Sequence, residues 1–325
     1  MTLPRRKFLH LTASAVALPA LSRVARADTY PSHPVRILVG FAAGSTTDIL
    51  GRLIGQWLSQ RLGQQFVIEN KPGAGGNVAA EEMIKSTPDG YTLYMVPPAV
   101  AANAALYPHL NFVFLRDAMA VAGVVRVPNV AEVNPALPVK TIPELIDYAK
   151  ANPGKLSFES AGIGTASHLA GQLFNAMTGA NLQHVPYRGD GPAMVDLIGG
   201  QIQVGFATMT ASIGHIRSGQ LRALAVTTLK RSDALPGIPT VAETVPGFEA
   251  SSWFGIAAPK GTPADVVSLI NRETNAGLAD PTIKARLDDM GGMALTGSPA
   301  DFGKLITDET EKWGKVIRDA GIKAE

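Results

Sequence analysis

Val35–Leu62 reads VRILVGFAAGSTTDILGRLIGQWLSQRL, and its three parts decide the fold class. The apolar run from Val35 to Phe41, broken only by Arg36, has the length of a buried strand. Ala42-Ala43-Gly44-Ser45-Thr46-Thr47 follows, small and hydroxylated. Ile49, Leu50, Leu53, Ile54, Trp57, Leu58 and Leu62 then fall at helical spacing. Ser45, Thr46 or Thr47 is expected to cap that helix, with Asp48 in the first turn, where the helix dipole favours an acid. A strand that feeds a glycine-bearing loop into a helix N-terminus leaves backbone N–H groups free to meet an anion. Such a turn is also an ordinary joint of an α/β protein, so the rest of the chain must decide its use.

Working outward, the same alternation continues. Gln65–Asn70 reads as a strand, Lys71–Gly76 as a turn, and Val78 to Ile84 as a short helix. Pro88-Asp89-Gly90 announces a third strand, Tyr91–Val96, which Pro97-Pro98 breaks. The alternation predicts right-handed crossovers and a parallel sheet. Two strand-like runs then flank Pro128-Asn129, and Thr141-Ile142-Pro143-Glu144 predicts a capping box for a helix ending near Ala151. Leu156–Ser160 is a strand that runs into Ser160-Ala161-Gly162-Ile163-Gly164-Thr165-Ala166-Ser167-His168, followed by a helix through Leu169, Leu173 and Met177. This is a second small-residue loop at a helix N-terminus. His184–Tyr187, Ile202–Ala207 and Leu221–Val226 read as further strands, with helices at Pro192–Ile198 and Ile213–Arg217. Pro236–Pro246 is expected to be irregular. Trp253–Ala258 reads as a strand, Thr262-Pro263-Ala264-Asp265 as a cap for a helix to about Ala279, and Ser298–Ala320 as an amphipathic helix.

The 325 residues suggest about two domains, and 46% hydrophobic residues with 33 glycines fit an α/β protein. Residues 1–27 read as an export signal: Arg5-Arg6-Lys7, an apolar stretch from Phe8 to Leu21, and Ala25-Arg26-Ala27 as the cleavage site. Arg5-Arg6-Lys7-Phe8-Leu9 resembles the twin-arginine motif. Five of the 29 basic side chains and none of the 27 acidic ones fall in that segment, leaving 24 against 27. The apparent basicity therefore belongs to the signal, and no nucleic-acid partner is implied. With no cysteine, disulfides, thiol catalysis and thiolate metal sites are excluded.

Catalytic templates fit badly. There is no G-x-S-x-G elbow, S-x-x-K, H-E-x-x-H or phosphate-binding G-x-x-x-x-G-K-[ST]. Gly162-x-Gly164 lacks both the third glycine and the downstream acid of a dinucleotide fingerprint. No cofactor and no metal site is expected. What remains is two anion-competent helix starts, whose neutral hydroxyls and amides can bind a carboxylate without burying a lysine or arginine.

Several ordered motifs carry a resemblance. Phe41-Ala42-Ala43-Gly44-Ser45-Thr46-Thr47-Asp48 and Glu69-Asn70-Lys71-Pro72-Gly73-Ala74-Gly75-Gly76-Asn77 are joined by Pro88–Leu93, Ser160–Leu169, Val185–Gly189, Leu221–Thr227 and Pro239–Glu243. Together they resemble the Bug family of periplasmic solute-binding proteins, the TctC-like receptors of tripartite tricarboxylate transporters. The resemblance implies a type II periplasmic-binding-protein fold: two α/β lobes around a ligand cleft, with two crossover segments. Residues 28–129 and 251–325 would form one lobe and 130–250 the other, with crossings near Val127–Val133 and Glu249–Trp253.

By that resemblance Phe41, Ala43, Gly44, Ser45, Thr46 and Asp48 would hold one end of a small carboxylate ligand. Ser160, Gly162, Gly164, Thr165, His168 and Thr208 would hold the other. The ligand would pass to membrane subunits of the transporter, from a periplasmic, monomeric receptor. Ala207-Thr208-Met209 replaces a stretch that often carries an acid in the family, so the resemblance does not extend to an amino-group contact there. A different class of reading is a periplasmic hydrolase using Ser160, Ser167 or Thr165 with His168, since positions 165 and 168 meet on a helix. A receptor that presents its ligand to a membrane sensor is a further alternative.

Overall fold

The structure, a computed structural model, describes residues 30–107, 109–319 and 321–323. The export signal read at residues 1–27 lies outside them. The first part of the chain runs β1 (Val35–Val39), α1 (Thr46–Leu62), β2 (Phe66–Asn70), α2 (Asn77–Lys85), β3 (Thr92–Val96), α3 (Ala99–Leu106), α4 (Phe114–Asp117) and β4 (Ala118–Pro128). It continues through β5 (Val130–Val133), α5 (Ile142–Ala151), β6 (Ser157–Ser160), α6 (Ala166–Thr178), β7 (Gln183–Pro186), α7 (Asp190–Ile198), β8 (Val204–Gly205), α8 (Met209–Arg217) and β9 (Arg222–Val226). Last come β10 (Ser251–Pro259), α9 (Ala264–Ala279), α10 (Pro281–Asp289), β11 (Met293–Ala294) and α11 (Pro299–Asp319).

These strands form two sheets, one for each lobe. The first has the order β11-β4-β10-β3-β1-β2 and the second β7-β6-β8-β5-β9. Neither is the purely parallel sheet expected from the alternation. β1, β2 and β3 are parallel, as are β6, β7 and β8, but β10 lies antiparallel between β3 and β4, and β5 antiparallel between β8 and β9. The reason is the path of the chain. β5 and β10 each enter their sheet from the other lobe rather than over a crossover helix, so the right-handed βαβ rule does not set their direction.

Burial explains which elements the apolar pattern reveals. All nine residues of β10 are buried, with Trp253 packed edge-on against Phe302 of α11 at 6.0 Å between ring centroids. α3 is unexpected, because its run AVAANAAL is apolar but for Asn103 and shows no helical stripe. It starts directly after Pro97-Pro98, where prolines without N–H groups cost the helix nothing. α10 is also unexpected, and is capped by the Asp280 carboxylate, which accepts from the amides of Thr282 and Ile283. Two caps differ from expectation. Thr262 gives its hydroxyl to the Pro259 carbonyl instead of capping α9. Thr141 caps α5, but Glu144 accepts from the Lys140 amide, so the box is not reciprocal.

The chain passes from the first sheet to the second at Asn129 and returns between Thr227 and Ser251. These passages meet in one buried hydrogen-bonded node. The Asn129 amide donates to Thr227 Oγ1 at 3.0 Å, and the Thr227 amide donates back to the Asn129 carbonyl at 2.9 Å. The Asn129 side chain donates to the Phe206 carbonyl at 2.7 Å and accepts from Ser252 Oγ at 2.8 Å. Asn129 thus ties both passages to the floor of the space between the lobes.

Candidate functional site

Both small-residue loops arrive at that space. Ser45 is the N-cap of α1: its Oγ accepts from the Asp48 amide, and the loop before it turns through Gly44 at φ 81°. Thr165 is the N-cap of α6, accepting from the His168 amide, after Gly162 and Gly164 at φ 134° and 81°. The two helices belong to different lobes, so two first turns with their unsatisfied N–H groups face one cleft.

A cavity of about 30 Å³ lies between them. Phe41, Ser45, Thr46 and Thr47 line it from one lobe, together with Pro97, Pro98 and Ala99. Ala161, Thr165, Ala166, Ser167, Asp190 and Thr208 line it from the other, and Ser252 and Phe254 come from β10. The lobes touch directly here. Thr46 and Thr208 share a hydrogen bond of 2.7 Å between their hydroxyls, and the Thr46 amide and hydroxyl reach Asp190 Oδ2 at 3.4 and 3.2 Å. The lobes are therefore in a closed arrangement at this point, touching beside the chamber. A wider groove of about 550 Å³, lined by Gly73–Gly76, Tyr107, Gly162, Ile163 and Arg188, shares Phe41 and Ala161 with the chamber.

Of the residues expected from sequence, Phe41, Ser45, Thr46, Thr165 and Thr208 come together on this cavity. Ala43 and Gly44 are exposed on the loop above it. Asp48 turns away: it accepts from the Gly44 amide, Arg52 and Asn70. Burial raises its pKa, but those hydrogen bonds outweigh burial and hold the carboxyl below its usual range. Gly162 lies in the wider groove. Gly164 faces α3 of the other lobe, where an added Cβ would come within 2.8 Å of Asn103 Oδ1.

Ser160 and His168 lie beneath the loop. The Ser160 hydroxyl pairs with His184 Nε2 at 2.6 Å, and His168 Nδ1 accepts from the Gly164 amide at 3.1 Å. The two imidazoles stack at 4.2 Å. Burial pushes His168 down to about 3, helped by His184, and burial pushes His184 down to about 4, so both rings are neutral at pH 7. The hydrolase geometry does not form. The Thr165 hydroxyl donates to the Gly162 carbonyl at 2.6 Å, and the imidazole nitrogen that would take its proton is engaged by Gly164.

Asp190, Thr47 and the β10 residues are not among the contacts expected from sequence, and Ser167 is expected there only as a nucleophile of the hydrolase reading. Ser167 is legible in hindsight as part of the loop motif; its Oγ accepts from the Ala161 amide at 3.0 Å. Asp190 carries no local signal, since its contact with Thr46 spans 144 residues. Behind it, Glu132 on β5 and Glu159 on β6 are fully buried. Burial raises Glu132 to about 8, with the Asp190 charge adding and a bond from Ser212 opposing. Burial also raises Glu159, as do the charges of Asp190 and Glu132.

This has a consequence for stability. Between the ordinary glutamate value of 4.5 and about 8, the folded protein holds a proton on Glu132 that the unfolded chain has released. Its contribution is complete below that window and is lost as pH rises through it. Glu132→Gln is expected to flatten the fall in Tm between pH 5.5 and 8.5 by about 3 °C or more, roughly 1 kcal/mol in a protein of this size. An unchanged slope in a thermal melt series would contradict the assignment.

The comparisons with known proteins agree with this architecture. The family model described as "Tripartite tricarboxylate transporter family receptor" matches residues 50–322. Protein BugT of Bordetella pertussis is 37% identical over 311 residues, covering 95% of each chain. Among solved structures, R. palustris Rpa4515 with adipate superposes with a TM-score of 0.88 at 37% identity, covering 91% of this chain and 100% of that one. MatC (Rpa3494) from Rhodopseudomonas palustris with bound malate gives 0.85 at 30% identity, covering 89% and 100%.

Proposed function

The chain belongs to the tripartite tricarboxylate transporter receptor family, TctC, and on that premise we propose that it captures a small organic carboxylate in the periplasm and delivers it to the membrane subunits of such a transporter. One observation carries the reading to this chain: a chamber lined mostly by hydroxyls and apolar groups, with no lysine or arginine among the described residues that line it, between two helix N-termini that come one from each lobe. Two such termini offer partial positive charge and N–H donors already in place. Adipate and malate in the solved relatives support the same class of ligand.

In this proposal residues 28–129 and 251–325 form one lobe and 130–250 the other. Phe41, Ser45 and Thr46 meet the ligand from the first, and Thr165 and Thr208 from the second. Ala43, Gly44, Asp48, Ser160, Gly162, Gly164 and His168 shape the loops that present them. No helix among the described residues is long and apolar enough to cross a membrane. The test is calorimetric titration of the chain lacking residues 1–27 with a panel of mono- and dicarboxylates, followed by recovery of the bound acid. Saturable 1:1 binding with the acid recovered unchanged is expected. Conversion of the acid during incubation would favour the hydrolase reading instead.

A further inference from the structure

Among the described residues, the only ionisable side chain that lines the chamber is an acid, Asp190. It opens α7 and is 5% exposed. Oδ2 accepts from Thr46, whereas Oδ1 is buried without a partner. Burial raises its pKa against the two bonds from Thr46. Behind it, the strand register sets Glu132 and Glu159 on either side of Gly205. A Cβ at Gly205 would come within 3.1 Å of both Glu132 Cγ and Glu159 Oε1, so a glycine is what leaves room for the two acids. Glu132 Oε2 and both carboxyl oxygens of Glu159 are also buried without partners. None of the ion pairs among the described residues involves these three acids.

We infer that Asp190 recognises a protonated amine, so that the ligand is a small carboxylate that also bears an ammonium group. This rests on the carboxylate-receptor reading and narrows it. The carboxylate lies at the N-termini of α1 and α6, and the ammonium group meets Asp190 Oδ1. Two helix N-termini, each roughly half a positive charge, balance about one carboxylate. A second carboxylate would be placed beside Asp190, with no lysine or arginine among the lining residues to offset the pair. An ammonium group instead supplies three donors and the missing countercharge, as a charge-assisted hydrogen bond to an oxygen that otherwise has no partner. The same acid thus attracts one class of ligand and repels the other. It also answers for Ala207-Thr208-Met209, where the sequence offers no acid: the acid comes from the start of α7.

The test uses the chain lacking residues 1–27 and three matched pairs: 3-aminopropanoate with malonate, 4-aminobutanoate with succinate, and L-alanine with propanoate. Titration calorimetry at pH 7.5 is expected to give at least tenfold tighter binding for the amine-bearing member of the pair that fits, about 1.4 kcal/mol. Asp190→Asn, which keeps the shape and removes the charge, should cost that member at least tenfold and leave its amine-free counterpart unchanged or tighter. Glu159→Gln, which does not line the chamber, should leave the same preference unchanged. Tighter binding of the amine-free acid by the unaltered chain would overturn the inference while leaving the carboxylate reading intact. Equal weakening of both members by Asp190→Asn would also overturn it. Binding of none of the six acids by a protein that still binds adipate or malate would overturn the inference alone, and binding of none of the six nor of any acid of the wider carboxylate panel would overturn the carboxylate reading with it.

Discussion

Asn129→Leu is expected to lower stability by about 3–5 kcal/mol in equilibrium urea unfolding. The side chain is fully buried at the point where both interlobe passages meet. Leucine fills a similar volume but removes the donor to the Phe206 carbonyl and the acceptor for Ser252 Oγ. Each buried group left unpaired costs about 1–3 kcal/mol, more than the net worth of the bond itself. The backbone exchange with Thr227 survives, so the passages stay adjacent and the loss is not larger still. Ser252→Ala, which breaks only one of these bonds, should cost about 1 kcal/mol. A loss below about 1 kcal/mol in Asn129→Leu would mean that the node is not what holds the passages together.

The second large effect is on binding. Gly164→Val is expected to weaken carboxylate affinity at least tenfold, about 1.4 kcal/mol. Two costs separate cleanly. Gly164 has φ 81°, so any β-branched residue there strains the loop whether the lobes are apart or together. The side chain also collides with Asn103 Oδ1 and with Leu106 Cδ1, at 2.8 and 3.2 Å from the added Cβ, and both belong to α3 in the opposite lobe. Only the closed arrangement suffers the collision, so the open one gains relative to it. Gly154→Val is the control, because Gly154 has φ 75° and nothing near its Cβ position. It should show the loss of stability from the strained backbone without the loss of affinity.

The parts of the fold that were legible are those whose signal is local. Val35–Leu62 announces its strand, loop and helix, Ser45 is the one of its three candidates that caps, and the helix expected after the second loop forms with Thr165 as its cap. Small residues in those loops pointed to the cleft for the same reason, since backbone donors at a helix start need no distant partner. The unread parts depend on tertiary contacts. α3 is apolar but for Asn103 and so lacks a stripe, and the antiparallel settings of β5 and β10 follow from where the chain comes from, not from its residues. His168 sits in a ligand-like motif, yet its Nδ1 takes up the Gly164 amide, and so it shapes the loop from below. Asp190 looks like any acid at the start of a helix until Thr46 is brought against it.

The central claim is that an acid held between two helix starts draws the lobes together. A ligand can shift that equilibrium only through its preference for the closed arrangement, which the shared contacts of Thr46, Thr208 and Asp190 make possible. Asn129 and Thr227 lie where the backbone must rotate, at the ends of elements, as in other hinge closures. Small-angle X-ray scattering of the chain lacking residues 1–27, with and without the tightest-binding carboxylate of the titration panel, tests this directly. The radius of gyration is expected to fall on saturation in the unaltered chain and to stay at its unliganded value in Gly164→Val; identical curves for the unaltered chain with and without saturating ligand would contradict the account.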